Sequence, residues 1–330
     1  MGEGITEFEL IDLLKARSGR SGRMETGIGD DAAVTVPGGA TATSVDALVE
    51  GIHFRSDWSS PEDVAHKALA TALSDLAAMA AEPGEMYVTL GVPAGTPAPY
   101  LERLATGFSE TAANFGTVLA GGDTVSSPVL FVAVTVVGHA GRAGEFVLRS
   151  GASTDDVVAV TGSVGGAGAG LWLLGNEAVE IKDLDAEVRA ALVERQLRPE
   201  PRLYAGRVLG RLGATAMVDV SDGLVADLGH VAQQSAVAIS LDVRPVPAQA
   251  GVAMVESAAG LALGDLALAG GEDYELAVTL PGHDFEPARE ALRALDLDLT
   301  AIGRVASGSG VTLVDEGGAR AAPAGFDHLA

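Results

Sequence analysis

Ala216-Met217-Val218-Asp219-Val220-Ser221-Asp222-Gly223-Leu224 joins a short apolar run to a turn of acids and glycine, and then to an amphipathic stretch. The run predicts a strand over 215–220 and the stretch a helix over 224–234, so two carboxylates sit where a strand hands over to a helix. Asp219 ends the strand; Asp222 stands at the helix N-terminus, where it reads equally as a cap. The device recurs. Gly121-Gly122-Asp123-Thr124 follows the apolar end of a strand at 118–120. Gly29-Asp30-Asp31 precedes a strand around 32–36, and Gly270-Gly271-Glu272-Asp273 precedes one at 274–280.

Outward from these turns, strands and helices mix without strict alternation. Thr6-Glu7-Phe8-Glu9 is a capping box opening the first helix, and Ser60-Pro61-Glu62-Asp63 starts a helix reaching about residue 81. Strands are expected at 41–49, 86–92, 129–138, 157–161, 237–243 and 301–305. Further helices are expected at 99–115, 165–174, 186–197 and 202–212. Glycines and arginines punctuate 138–153, which sets a domain boundary near residue 148: an N-terminal domain at 1–148 and a C-terminal one at 149–330. The fold class is α+β, two α/β-layered domains.

The 330 residues are ample for two cores, built mostly of Ala, Val and Leu because only 4% are aromatic. Forty-five acidic residues against 21 basic ones give a net charge of −24, and lysine is confined to Lys15, Lys67 and Lys182. Such a balance argues against a nucleic-acid backbone or an anionic membrane as partner. Cysteine is absent, which removes disulfides, thiolate metal sites and a Cys nucleophile. The longest apolar run, about ten residues at 129–138, suits a strand and not a bilayer span. The N-terminus has no signal-peptide pattern, so the expected location is cytoplasmic.

The acids carry the chemistry. Asp75 shares a predicted helical face with Val64, Ala68, Ala72 and Met79, so its carboxylate is expected to be buried and to need a cation, either a metal ion or an arginine. Asp30 and Asp31 repel one another in a turn, which a divalent ion relieves. With Asp46 at the end of a strand, and with Asp123, Asp219 and Asp222, these acids can converge on several cations, the arrangement of phosphoryl transfer. No P-loop signature occurs, and Arg142 and Arg149 are the natural phosphate forks. The acids lack calcium-loop spacing, and aromatic platforms for a glycosidase are scarce.

Taken in order, GIGDDAAV (27–34), SVD (44–46), GIHF (51–54), LSDLAAM (73–79), GGDT (121–124), RSGA (149–152), VSDGL (220–224), GGEDYEL (270–276) and GFDH (325–328) resemble the thiamine-monophosphate kinase family. That family belongs with aminoimidazole ribonucleotide synthetase and selenophosphate synthetase. The resemblance implies their two-domain fold and a homodimer paired through N-terminal domains. It also implies Mg²⁺- and ATP-dependent phosphorylation of thiamine monophosphate to thiamine diphosphate, with ATP in a cleft between the domains. By position, the metal ligands would be Asp31, Ser44, Val45 (through its carbonyl), Asp46, Asp75, Asp123, Asp219 and Asp222, with Asp31, Asp123 and Asp222 the catalytic set. Gly122, Arg149 and Ser221 match nucleotide-contacting positions. His53 and Glu272 match substrate-contacting ones, His53 also reading as a polar loop residue, and Phe326 would face the thiamine rings. The family often has Thr where Val45 stands, and some members have Trp where Pro323 stands. A selenophosphate synthetase would show a reactive Cys or selenocysteine and an early loop Lys, both absent here.

Overall fold

Thr6 opens the first helix, α1 (Glu7–Arg17), through the expected reciprocal cap: its backbone N–H donates to the Glu9 carboxylate at 2.8 Å, and the Glu9 N–H returns to the Thr6 hydroxyl at 3.3 Å. The computed structural model describes residues 6–19, 21–315 and 317–321. The chain divides into two units, one of residues 1–76 with 81–145, the other of 77–80 with 146–330.

In the first unit, β1 (Met24–Thr26) pairs with β2 (Val34–Thr35) as a small antiparallel ribbon. There follow β3 (Ala40–Val49), α2 (Pro61–Ala78), β4 (Glu82–Val92), α3 (Ala98–Phe115), β5 (Val118–Ser126) and β6 (Phe131–Ala140). Strands β3 to β6 form one sheet in the order β3-β6-β4-β5; β4 and β5 run parallel across α3, and the other pairs are antiparallel. One face is sealed: Val132, Val134 and Val136 are fully buried, and a Cβ on Gly138 would strike Leu76 of α2 at 2.9 Å. The other face is open, with Thr41, Thr43, Val45 and Ala47 all exposed. Period-2 alternation on β3 and β6 records this two-sided environment.

The second unit contains β7 (Val157–Thr161), α4 (Gly166–Gly175), α5 (Ala186–Leu197), α6 (Leu203–Arg211), β8 (Ala216–Asp219), α7 (Leu224–Ser235), β9 (Ala238–Asp242), α8 (Val252–Ala259) and α9 (Asp265–Ala269). It continues with β10 (Leu276–Leu280), α10 (Phe285–Arg293), β11 (Leu299–Ala306), β12 (Gly310–Asp315) and β13 (Gly318–Ala321). The sheet runs β13-β12-β9-β11-β7-β10-β8; of its pairings, β9 with β12 is parallel and the others are antiparallel. Strands β7 and β10 are buried at every position, which explains why each is apolar apart from one threonine, Thr161 and Thr279. Mixed sheets beside helices in both units make this an α+β chain, as the sequence predicts. Glycine-rich 162–170 enters a helix whose small residues permit close packing: a Cβ on Gly170 would lie 2.0 Å from the Leu192 carbonyl oxygen of α5.

Several strand expectations change, among them 86–92, which begins at Glu82. Gly121-Gly122-Asp123-Thr124 is not a turn after a strand end but the middle of β5, because β4 offers hydrogen-bonding partners as far as Ser126. The strand at 129–138 begins later and runs to 140, following the Ala40–Ala140 pairing with β3.

Candidate active site

In the first unit, β3 and α2 bring three of the expected residues into one neighbourhood. Ser44 and Asp46 alternate with exposed positions and therefore share the helix-covered face of β3. The Ser44 hydroxyl donates to the Asp75 carboxylate. Asp75 is half-buried rather than buried: it interrupts a stretch of α2 in which every other residue from Val64 to Ala78 is buried. Partial solvation and a strand hydroxyl thus meet part of the demand that full burial would place on a cation.

Asp31 and Asp30 are exposed in a turn where Asp30 accepts the Asp31 N–H at 2.8 Å. A cation does lie close: a Cβ on Gly29 would fall 2.2 Å from Lys15 Nζ, so the turn glycine leaves room for an ammonium. Asp123 is exposed and accepts the Thr124 N–H at 2.9 Å. It is not brought to Asp46. Registers match Asp46 to Val134, Val134 to Val88 and Val88 to Gly122, so Asp123 lies one position on and points to the open face. Three strand spacings, about 14 Å, also separate the two strands. Gly122 is required there: a Cβ would meet the Val88 carbonyl oxygen at 2.0 Å. His53 is half-buried; its Nδ1 accepts the Val49 N–H at 3.0 Å, and its carbonyl accepts from Lys67 Nζ at 3.2 Å. Arg142, 82% exposed, lies 3.4 Å from Glu145, a surface pair that an anion can displace.

In the second unit, two motifs far apart in sequence become neighbours because β8 and β10 are antiparallel, with Asp219 opposite Leu276. Val220 N–H donates to the Glu275 carbonyl (2.8 Å), Tyr274 N–H to Val220 (2.9 Å) and Glu272 N–H to Ser221 (2.8 Å). Asp219 is buried at the end of β8, while Ser221 and Asp222 are half-buried beyond it. Asp222 is not a helix cap. Gly223 takes that position at φ +117°, and Asp227, in the first turn of α7, accepts the amides of Ser221, Asp222 and Gly223 at 3.0, 3.1 and 3.2 Å. Burial, reinforced by the charge of Asp222, pushes Asp227 up to about 7, and exposed Arg149 pulls it back.

Glu272 and Tyr274 both hold positive φ, +65° and +53°, unusual for residues with a Cβ. Side chains around them fix that shape. Gln196 Nε2 donates to the Glu272 carboxylate at 2.7 Å. Asp273 accepts the amides of Gly165 and Ala167, and burial raises it to about 6 although Arg195 opposes this. Glu275 is fully buried; burial would raise its pKa, but Arg202 and Arg195, each within 2.6 Å, hold it below the usual carboxylate range.

The AIR synthase related protein N-terminal domain family matches residues 29–140, and the corresponding C-terminal domain family residues 153–316. A thiamine-monophosphate kinase of Mycobacterium tuberculosis strain H37Rv is 40% identical over 319 residues, covering 94% of this chain and 88% of that protein. The chain belongs to the thiamine-monophosphate kinase family. Among solved structures, the thiamine-monophosphate kinase of Stenotrophomonas maltophilia K279a matches with TM-score 0.82 and 35% identity, covering 94% of this chain and 96% of that one. AaThiL complexed with AMPPCP and TMP matches with TM-score 0.78 and 34% identity, over 98% and 96%.

Within this thiamine-monophosphate kinase family member, residue reading singles out the acids of the turns and misses the side chains that hold the two motifs of the second unit: Asp227, Gln196, Arg195 and Arg202. Two signals were present. Asp227 is an acid four residues after a glycine that cannot cap a helix, and Arg202 follows Pro199 and Pro201, which present it from a fixed backbone. Phe326 lies outside the described residues.

Proposed function

We propose that this protein transfers the γ-phosphoryl group of ATP to the phosphate of thiamine monophosphate, giving thiamine diphosphate and ADP. The observation that carries the reading is full-length similarity to thiamine-monophosphate kinases, one of which, AaThiL, is complexed with AMPPCP and TMP. The acid motifs of the sequence fall within that matched length.

The donor set fits Mg²⁺. Asp31, Ser44, Asp46, Asp75, Asp123, Asp219 and Asp222 offer oxygen alone, and hard divalent ions prefer oxygen while retaining sites for water and phosphate. Val45 adds a carbonyl on β3, an outer strand of its sheet, where alternate carbonyls point away from the ladder. Bound Mg²⁺ would bridge phosphate oxygens and offset charge that builds during transfer. Gly122, Arg149 and Ser221 are assigned to the nucleotide, His53, Glu272 and Phe326 to thiamine monophosphate, and Asp31, Asp123 and Asp222 to the catalytic set. The acceptor is a phosphate oxygen, already anionic at neutral pH, so no strong base is needed. The task is to bring two polyanions together and hold them in line.

A homodimer agrees with the open face of the first unit's sheet, where Val45 is 64% and Val125 41% exposed beside exposed threonines. No helix among the described residues is long and apolar enough to cross a membrane, and the use of ATP agrees with a cytoplasmic location. The deciding assay measures ADP release from Mg²⁺-ATP with thiamine monophosphate, against thiamine and other phosphorylated acceptors. Turnover should require thiamine monophosphate; its absence with that acceptor sinks the reading.

A further inference from the structure

Helix α7 begins on a residue that cannot cap it. Gly223 sits at φ +117°, and a Cβ there would meet the Ala269 backbone at 2.9 Å, so neither Ser, Asp nor Asn can occupy the N-cap. The amides of Ser221, Asp222 and Gly223 need an acceptor from elsewhere. A single carboxylate oxygen of Asp227, which is 2% exposed, accepts all three. On the opposite side, the loop is held through its carbonyls: Val220 and Ser221 accept from Tyr274 and Glu272. A Cβ on Gly271 would lie 2.4 Å from the Ser221 carbonyl oxygen, so this second contact leaves no slack.

Consecutive amides at a helix start would ordinarily serve as an anion cradle. Here an internal carboxylate fills it. What the loop can present outward is the Ser221 hydroxyl and the Asp222 carboxylate, not its amide groups. We propose that Asp227 is a positioning residue for the nucleotide site: by binding the three amides it fixes the backbone from which Ser221 and Asp222 reach Mg²⁺-nucleotide, and through the same loop it supports Glu272. This rests on the assignment of Ser221 and Asp222 to nucleotide and metal, and on nothing about the acceptor.

Two measurements on the full chain test it. In the wild-type protein, hydrogen exchange should find the amides of 221–223 protected, although they precede the helix and lie outside any strand; rapid exchange at all three would overturn the proposal. Titration calorimetry with Mg²⁺-ADP then compares wild type with Asp227→Asn, which keeps one acceptor oxygen, and Asp227→Ala, which keeps none. Asp227→Ala should weaken Mg²⁺-ADP binding about tenfold or more, as loss of groups that orient ligands does, while Asp227→Asn recovers most of it. If Asp227→Ala does not fold, Asp227→Leu, which has no acceptor and keeps the side-chain volume, takes its place. A folded variant without the acceptor that binds Mg²⁺-ADP as wild type does overturns the inference. Calorimetry needs no turnover, so a protein that binds Mg²⁺-ADP, loses it in Asp227→Ala and yet ignores thiamine monophosphate would refute the proposed reaction and uphold the role of Asp227.

Discussion

The Ser44 hydroxyl donates to the Asp75 carboxylate and thereby joins an edge strand to the most completely buried helix of the first unit. In the proposed site both would serve the metal, with roles that differ in kind: Asp75 would bring charge and Ser44 would orient it. Asp75→Asn should therefore abolish turnover at ordinary Mg²⁺ concentrations. Ser44→Ala should remain active but require about tenfold more Mg²⁺ for half-maximal rate, the scale on which a group orienting a ligand acts. Initial rates across a Mg²⁺ series separate the two, and equal effects would contradict the division.

Asp31 and Asp123 are exposed and contribute little to packing. Asp31→Asn or Asp123→Asn should each remove turnover while shifting stability by no more than about 0.5 kcal/mol. Thermal melts and ADP release should be compared with Glu187→Gln, an exposed acid of α5 outside the site. More than a few per cent of activity in both Asp variants would count heavily against the metal assignment.

Asp273 gives a pH signature. Its folded pKa, raised to about 6 by burial, exceeds the unfolded value near 3.8. Between those values the native chain holds a proton that the unfolded chain has released, so this group's contribution to stability falls as pH rises from about 4 to 6. Asp273→Asn lacks that titration and also turns an amide toward a backbone donor, which costs about 1–3 kcal/mol. The wild type's advantage over the variant should be larger at pH 4.5 than at pH 7. Chemical unfolding of both proteins at the two pH values checks the sign.

Fully buried Glu275 neutralises two guanidinium groups that keep 14% and 15% exposure, Arg195 and Arg202. Glu275→Gln leaves Arg195 without its carboxylate partner and Arg202 with only Glu200, at 3.2 Å, and should destabilise the protein by about 3 kcal/mol. Urea midpoints report it. A loss below about 1 kcal/mol would mean that solvent reaches the arginines.

Much of this architecture was legible in the chain. Strand 157–161 and helix 186–197 coincide with β7 and α5, because four consecutive apolar residues closed by a β-branched threonine and an Asp-capped amphipathic run admit few alternatives. The acids of the turns were legible as chemistry, since carboxylates beside glycines have little structural reason to exist. What could not be read was partnership. Asp75 looked buried because helical periodicity records which residues share a face, not where the neighbouring strand ends. Asp123 looked like a turn residue because two glycines signal a turn, whereas here they allow β5 to lie close against β4. Asp227 acts on residues four to six positions back, through the turn that opens α7, whereas Glu275 and Gln196 meet partners 73 to 114 positions away, which only the tertiary fold brings together.

The left-handed backbone at Glu272 and Tyr274 has a consequence for protein engineering. Each such residue costs about 1–3 kcal/mol where a glycine would cost little. Glu272→Gly would relieve that strain yet strip buried Gln196 of its acceptor, which costs a similar ~1–3 kcal/mol, so the carboxylate proposed for the substrate is also what makes the strained turn tolerable. Thermal screening of this chain should therefore be paired with an activity screen at every round, because stability and function are tied to the same side chain at this position.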